Sequence, residues 1–220
     1  VLCHGDSTGE ASGQIIGGVP NYNVTSPVFG QNVNLPGGFF GTGPVIPAGS
    51  YPYLITDGNG CIYQDTIIIT QPNPISSIPN LSNYNGYNIS CNGGNNGSVT
   101  LTITGGTAGY TQDWGGVVNT DSLYAGIYSY TVTDNNGCTL SDSVTITEPM
   151  ELISNLNPIN LSCYNSCDGE ISIQVSGGVP TYNYTWDNGL IGDTINNLCA
   201  GTYSVIITDQ NSCITNDSII

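Results

Sequence analysis

Three tandem copies of one spaced pattern constrain this chain of 220 residues more than any other feature. Gly-Gly followed by tyrosine occurs as GGVPNY (Gly17 to Tyr22), GGTAGY (Gly105 to Tyr110) and GGVPTY (Gly177 to Tyr182). Each Gly-Gly begins 14 residues after a cysteine, Cys3, Cys91 or Cys163, and a glycine stands 6 residues after that cysteine, at Gly9, Gly97 and Gly169. A second block spans 13 steps in every copy: Ala48 to Cys61, Ala125 to Cys138 and Ala200 to Cys213. Only the stretch between the blocks varies, with 30, 19 and 22 steps from the second Gly to the Ala, as a surface connection allows. The repeat is therefore a small domain made of two fixed blocks. We divide the chain into residues 1–72, with a Gly/Pro-rich insertion at about 25–45, then 73–149 and 150–220, the last two each opening with a linker strand.

Within each copy the apolar pattern has period two. Val99, Leu101 and Ile103 alternate with Ser and Thr, as do Ile171, Ile173 and Val175, which marks half-buried strands. The Asn and Gly of DGNGC and DNNGC suit a tight hairpin, so the strand ending at Asp134 turns directly into the one holding Val144 and Ile146. Gln71-Pro72 and Glu148-Pro149 then end pairing, since proline removes a ladder donor. Thirty Gly and 12 Pro among many Asn, Thr, Ser, Val and Ile disfavour helix, and the fold class expected is all-β. The large apolar bodies available to so small a core are the tyrosines after Gly-Gly, Trp114 and Trp186, and Tyr51, Tyr128 and Tyr203 of the Ala-Gly block. In the first copy Ser26 takes the Trp position, and Phe39-Phe40 in the insertion fill the space from another direction.

There is no Lys or Arg, against 16 Asp and Glu. Nucleic acid and anionic membrane surfaces are thereby excluded as partners, because both are held through cationic side chains. No apolar run approaches the roughly 20 residues of a membrane-spanning helix, so direct membrane insertion is not expected. One His, no Lys and carboxylates scattered singly through turns offer neither a nucleophile with its base nor a converging acid pair, and no enzyme activity or catalytic residue is expected. The sequence starts just before Cys3 and stops within a strand at Ile220, which reads as a window on a longer chain.

The succession CxGxxxG, strand, GGxPxYxYxW, variable turn, AGxYxVxVTDxNGC, strand, ITxP resembles the SprB-type repeat of very long surface adhesins in gliding Bacteroidota. All three copies follow it, and the YxW and GxYxVxVTD portions also resemble PKD domains, which are immunoglobulin-like sandwiches. The first copy departs by lacking the Trp, and the third by adding Cys167 and Cys199. The resemblance implies tandem immunoglobulin/PKD-like β-sandwich repeats forming an extended rod. It also implies export by the type IX route, an extracellular or cell-surface location, and service as an adhesive filament in surface attachment and gliding motility.

All eight cysteines are candidates for disulfides in an oxidising compartment. The simplest pairing closes each repeat on itself as Cys3–Cys61, Cys91–Cys138 and Cys163–Cys213, leaving Cys167 for Cys199, with about 3 to 4 kcal/mol from each bridge by loop-closure entropy. A rival pairing links the leading cysteine of one repeat to the trailing cysteine of the next. Zinc is a third reading, weak because CYNSC has no companion pair at finger spacing and His4 is solitary. No metal or other cofactor is therefore expected; calcium stays open, because Asp57, Asp134 and Asp209 recur at one turn position, although Asp there also accepts hydrogen bonds from its own turn.

Asp followed by Ser or Thr recurs at Ser7, Thr66, Ser122, Ser143, Thr194 and Ser218, each with a small aliphatic residue or Thr next, and resembles the O-glycosylation signal of Bacteroidota. Repeat duplication of a strand residue is the alternative source. The function expected is a structural, adhesive segment whose partners are neighbouring repeats and an extracellular surface or polysaccharide. The alternative is a polysaccharide-binding β-sandwich module of a secreted protein, with Phe39, Phe40 and Tyr124 as ligand-facing aromatics.

Overall fold

The structure, a computed structural model, describes residues 1–28, 30–41 and 45–220, with the backbone alone at 30–33, and the described residues include no helix. The first repeat contributes β1 (Ser12–Gln14), β2 (Tyr22–Ser26), β3 (Gly30–Leu35), β4 (Phe39–Gly41), β5 (Gly49–Thr56) and β6 (Ile62–Ile69). The second contributes β7 (Ser76–Leu81), β8 (Val99–Thr104), β9 (Thr111–Asp113), β10 (Gly126–Thr133) and β11 (Thr139–Ile146). The third contributes β12 (Ile153–Ile159), β13 (Gly169–Ser176), β14 (Asn183–Trp186), β15 (Thr194–Leu198), β16 (Tyr203–Thr208) and β17 (Ile214–Ile219). The chain is all-β, as its period-two patterning requires.

Two compact units result. One comprises Val1–Ser77, Ile103–Asp113 and Thr131–Ser141, the other Ile78–Thr102, Trp114–Tyr130 and Asp142–Ile220. The first repeat lies within one unit and the third within the other.

The third repeat is a two-layer sandwich. One sheet has the order β12-β13-β15 and the other β14-β16-β17, all antiparallel. Ile171, Ile173, Ile195 and Leu198 from the first sheet meet Trp186, Val205 and Ile207 from the second. Ile171 and Ile173 of β13, and Val205 and Ile207 of β16, are alternate residues that the pleat sends inward, whereas Ile195 and Leu198 of β15 stand three apart and both face the core because the register shifts opposite Gly169 and Glu170. Trp186 is 2% exposed, and its Nε1 donates to the Gly192 carbonyl at 3.0 Å, which satisfies the one polar atom it buries.

In the first repeat a four-stranded sheet, β3-β2-β5-β6, faces the short pair β1-β4. Tyr22, Val24 and Ile55 are its buried cluster. The insertion at about 25–45 supplies β3 beside β2 and β4 beside β1, so it is partly sheet and not a plain connection; Phe29 and residues 42–44 within it lie outside the described residues. Gly13 pairs with Phe40, and a Cβ on Gly13 would come within 2.5 Å of that ring. Bare backbone there lets Phe40 turn inward, against Tyr53 at 5.9 Å between ring centres.

Candidate functional site

The recurrent residues build one hydrogen-bonded latch three times. After β5, β10 and β16 comes the turn Asp-x-Asn-x-Cys. Asp57 Oδ1 accepts from the amides of Asn59 at 2.9 Å and Cys61 at 2.8 Å, and its Oδ2 accepts from Val19 at 3.0 Å. Asp134 repeats this with Asn136, Cys138 and Thr107 at 2.9, 2.9 and 2.7 Å, and Asp209 with Asn211, Cys213 and Val179 at 2.8, 2.8 and 2.7 Å. Each carboxylate thus ties the hairpin turn to the residue after Gly-Gly. The second glycine of that pair takes φ of +72°, +58° and +58°, and a Cβ there would lie 3.1, 2.7 or 2.8 Å from the Asp Oδ2. Conformation and space both demand glycine.

Backbone donors also lower the carboxyls of Asp57 and Asp134. The Val19 amide, then those of Cys61 and Asn59, hold the Asp57 carboxyl below its ordinary value. At Asp134 burial pushes upward, but the amides of Thr107, Cys138 and Asn136 outweigh it and the net direction is down. Asp134 and Asp209 are 5% and 3% exposed, and no buried side-chain nitrogen or oxygen among the described residues lacks a partner.

The other invariants are equally local. Gly9 and Gly97 bridge Ile46 and Leu123, and Gly169 pairs with Leu198, each partner standing two residues before the Ala-Gly. A Cβ at these glycines would lie 2.6, 2.9 or 3.1 Å from the partner's carbonyl oxygen. The tyrosine after Gly-Gly returns its hydroxyl to the first glycine: Tyr22 to Gly17 O at 2.8 Å, Tyr182 to Gly177 O at 2.7 Å, and Tyr110 to Gly105 O likewise. Tyr51, Tyr128 and Tyr203 donate to the carbonyl four residues upstream at 2.9, 3.0 and 2.9 Å.

The cysteines correct the simplest expectation. Cys3 is bonded to Cys138 and Cys91 to Cys213, across 135 and 122 residues; Cys167 is bonded to Cys199, and Cys61 and Cys163 are free and exposed. Leading cysteines therefore join the trailing cysteine of the next repeat, as in the rival pairing. Strand length is the cause. The trailing cysteine is latched to the Gly-Gly end, whereas the leading cysteine precedes the strand that runs to Gly-Gly. Six residues of β8 separate those ends by roughly 20 Å, and a disulfide spans about 7 Å at most between Cα atoms.

Short linkers bring the correct ends together. Gln71 and Glu148, of the Gln-Pro and Glu-Pro pairs, accept from the amides of Gly5 and Gly93, two residues after a leading cysteine, at 2.8 and 2.7 Å. A carbonyl shortly downstream, Asn73 O or Met150 O, accepts from the second glycine of the following repeat, Gly106 or Gly178, at 2.8 Å. Leading loop, linker and next Gly-Gly thus form one joint beneath each bridge. Sequence reasoning read the asparagines of DGNGC and DNNGC only as hairpin residues and passed over Asn211, although the fixed place of Asn59, Asn136 and Asn211 two residues before the trailing cysteine was a usable signal of a common role.

The remaining candidates fall apart spatially or chemically. Phe39 is 66% exposed on β4, whereas Phe40 packs inward beside it, as strand alternation dictates; Tyr124 is 58% exposed and its carbonyl accepts from Tyr128. The three therefore form no common row of solvent-facing rings. In the first repeat a cleft of about 530 Å³ is lined instead by Ile15, Tyr22, Phe40, Tyr53, Tyr63 and Ile67. Ser7, Thr66, Ser122, Ser143, Thr194 and Ser218 all belong to exposed residues. His4 Nδ1 lies 3.1 Å from the Pro72 carbonyl. Among the described residues no three His, Cys, Asp or Glu converge as metal ligands, and Cys167 is occupied by Cys199.

The SprB repeat family matches residues 84–119 and 155–190, and these two segments are SprB-type repeats. No curated protein matches the chain. Among solved structures, the three N-terminal domains of the bacteriophage RB49 highly immunogenic outer capsid protein (Hoc) are similar at 12% identity, covering 98% of this chain and 93% of that one, with a TM-score of 0.48. The N-terminal four Ig domains of Dscam1 isoform 6.44 match at 14% identity over 96% of this chain and 71% of that one, TM-score 0.28. Bacteroides ovatus SGBP-B of the mixed-linkage glucan utilization locus, in complex with a mixed-linkage heptasaccharide, matches at 14% identity over 95% of this chain and 60% of that one, TM-score 0.23.

Proposed function

We propose that this chain is a non-catalytic, tension-bearing segment of an extracellular adhesin. The observation that carries this reading is the staggered bridging. A covalent path from Val1 reaches Cys3, crosses to Cys138, returns to Cys91, crosses to Cys213 and ends at Ile220. Apart from 2 steps at one end and 7 at the other, it contains only the 47 steps between Cys91 and Cys138. Full extension along it is roughly 200 Å, against roughly 750 Å for the unbridged chain. Such a segment transmits load without paying out its length, which suits a filament pulling on a surface.

Single-molecule stretching tests this: oxidised protein should stop near the shorter limit and reduced protein should reach the longer one. Equal contour lengths would refute the load path. Export by the type IX route and use in gliding motility belong to the same reading through the family resemblance. So do O-glycans on the six exposed Asp-Ser/Thr hydroxyls, and intact-mass measurement on protein from the native cell would reveal them.

A second reading, polysaccharide binding, draws on the cleft of the first repeat, where Phe40, Tyr53 and Tyr63 follow one another at 5.9 and 6.4 Å. Calorimetry against soluble β-glucans and other neutral oligosaccharides that gave no heat would end it.

A further inference from the structure

Asparagine followed by glycine is chemically fragile, because a neighbour without a side chain lets its backbone nitrogen reach the asparagine amide carbon. The chain has six such pairs, at Asn59, Asn85, Asn92, Asn96, Asn136 and Asn188. In every one the glycine amide is already donating. Gly60, Gly137 and Gly189 donate to the carbonyl three residues back, at Asp57, Asp134 and Trp186, over 2.9, 3.0 and 3.1 Å. Gly97 donates to Leu123 O at 3.1 Å and Gly86 to Asn83 Oδ1 at 2.9 Å. Gly93 is held differently: its acceptor is Glu148 Oε2 at 2.7 Å, 55 residues away where the linker to the third repeat begins.

Asn92 and Gly93 are both exposed, so water and base reach them, and the hydrogen bond rather than burial restrains the nitrogen. A carboxylate at this distance also disfavours the amide anion that must form before attack. Asn92 lies in the same grip, its Nδ2 donating to Pro149 O at 3.0 Å and to Glu148 Oε1 at 3.4 Å, next to the bridge between Cys91 and Cys213. The joint under the other bridge has no such chemistry: His4-Gly5 stands there, and Gly5 donates to Gln71. Asn96 differs too. Its Oδ1 accepts from the Ser90 amide at 3.1 Å, as Thr8 Oγ1 does from Leu2 at 2.9 Å and Asp168 Oδ1 from Ser162 at 3.2 Å, so a carboxylate already serves at that position in the third repeat.

We propose that Asn92 is a deamidation site controlled by this joint: while the joint is closed Glu148 holds the Gly93 nitrogen away, and when it opens that nitrogen attacks. The Gly93 nitrogen then bonds to Asn92 Cγ and gives its proton to water, the Cγ–Nδ2 bond breaks, and Nδ2 leaves as ammonia. A second water opens the succinimide ring at either carbonyl, leaving aspartate or isoaspartate. The new carboxylate replaces a donor that faced Glu148 and the Pro149 carbonyl, so it meets only acceptors and the joint closes less firmly than before. A transient opening thus becomes a lasting change. The inference goes beyond load bearing and stands without it.

The test follows each Asn-Gly peptide of the full, oxidised chain by mass spectrometry during incubation at mildly alkaline pH. Glu148→Ala should speed deamidation at Asn92 roughly tenfold or more while the other five sites change less than about twofold. Glu148→Gln, which keeps an acceptor oxygen as Gln71 does, should retain most of the protection. In a glutathione redox buffer Asn92→Asp should shift the Cys91–Cys213 pair toward thiols by about 2- to 10-fold and leave Cys3–Cys138 unchanged. An Asn92 rate unmoved by Glu148→Ala, a rise shared equally by all six sites, or a Cys91–Cys213 bridge indifferent to Asn92→Asp would overturn the proposal.

Discussion

The first and third repeats carry the same latch and differ in what lies behind it. In the third, two three-stranded sheets close on seven buried residues centred on Trp186. In the first, β1 pairs with β4 alone, Ser26 stands where the Trp would be, and the buried cluster is Tyr22, Val24 and Ile55 with Phe40 packed alongside. The Asp, Gly-Gly and Tyr contacts are nevertheless reproduced within a few tenths of an ångström. Loop geometry here is thus set by hydrogen bonds between residues near one another in the motif and is insensitive to core volume. Closure of the sandwich is set by the variable middle segment, which either delivers a Trp or does not.

The largest effect that would sharpen this contrast is truncation of the core aromatic. Trp186→Ala should cost about 3 to 5 kcal/mol by urea denaturation, and Phe40→Ala in the first repeat about half as much, because Phe40 is only partly buried. Equal costs would mean the first repeat is as tightly closed as the third. Next comes the latch. Asp209→Asn turns an acceptor into a donor facing the Val179 amide and should cost about 2 kcal/mol at this buried site; Asp57→Asn should act in the same direction but less, being more exposed.

A smaller change separates the turns themselves. Gly60 and Gly137 occupy the left-handed position at φ of +84° and +82°, whereas the third repeat places Ser212 there at +67°. Ser212→Gly should therefore raise stability by about 0.5 to 1 kcal/mol, and thermal melts of the variant would show it. The smallest effect concerns acid. The hydroxyls of Ser162 and Ser166, together with the Ser162 amide, hold the Asp168 carboxyl down at about 2 against an ordinary 3.8. A lowered folded value adds stability above the unfolded one, and that share is lost as pH falls from 3.8 toward 2. Asp168→Asn should flatten the stability profile of the third repeat in that window, where the second repeat already uses Asn96.

Much of this was legible from spacing. The alternating Val, Leu and Ile marked the strands, the Asn-Gly turns marked the hairpins, and conserved offsets marked Gly97, Gly105 and Asp134 as structurally fixed. Of the cysteine pairings, Cys167 with Cys199 was read as it stands, whereas the bridges between successive repeats were kept only as the rival to closure within each repeat, although the means to choose existed. A leading cysteine placed before a six-residue strand and a trailing cysteine placed beyond it, at the latch, cannot meet within one repeat. What hid this was the latch itself, since nothing in a sequence says that Asp134 reaches back to Thr107. The residues holding the leading loop were hidden for another reason: Thr8, Asn96 and Asp168 share an acceptor oxygen but no identity. Phe39 and Phe40 were read together, yet adjacent strand residues face opposite ways.

Non-reducing peptide mapping of the purified chain tests the staggered bridging most directly. Linked peptides containing Cys3 with Cys138 and Cys91 with Cys213 are expected. Recovery of Cys3 with Cys61, Cys91 with Cys138 and Cys163 with Cys213 would contradict it.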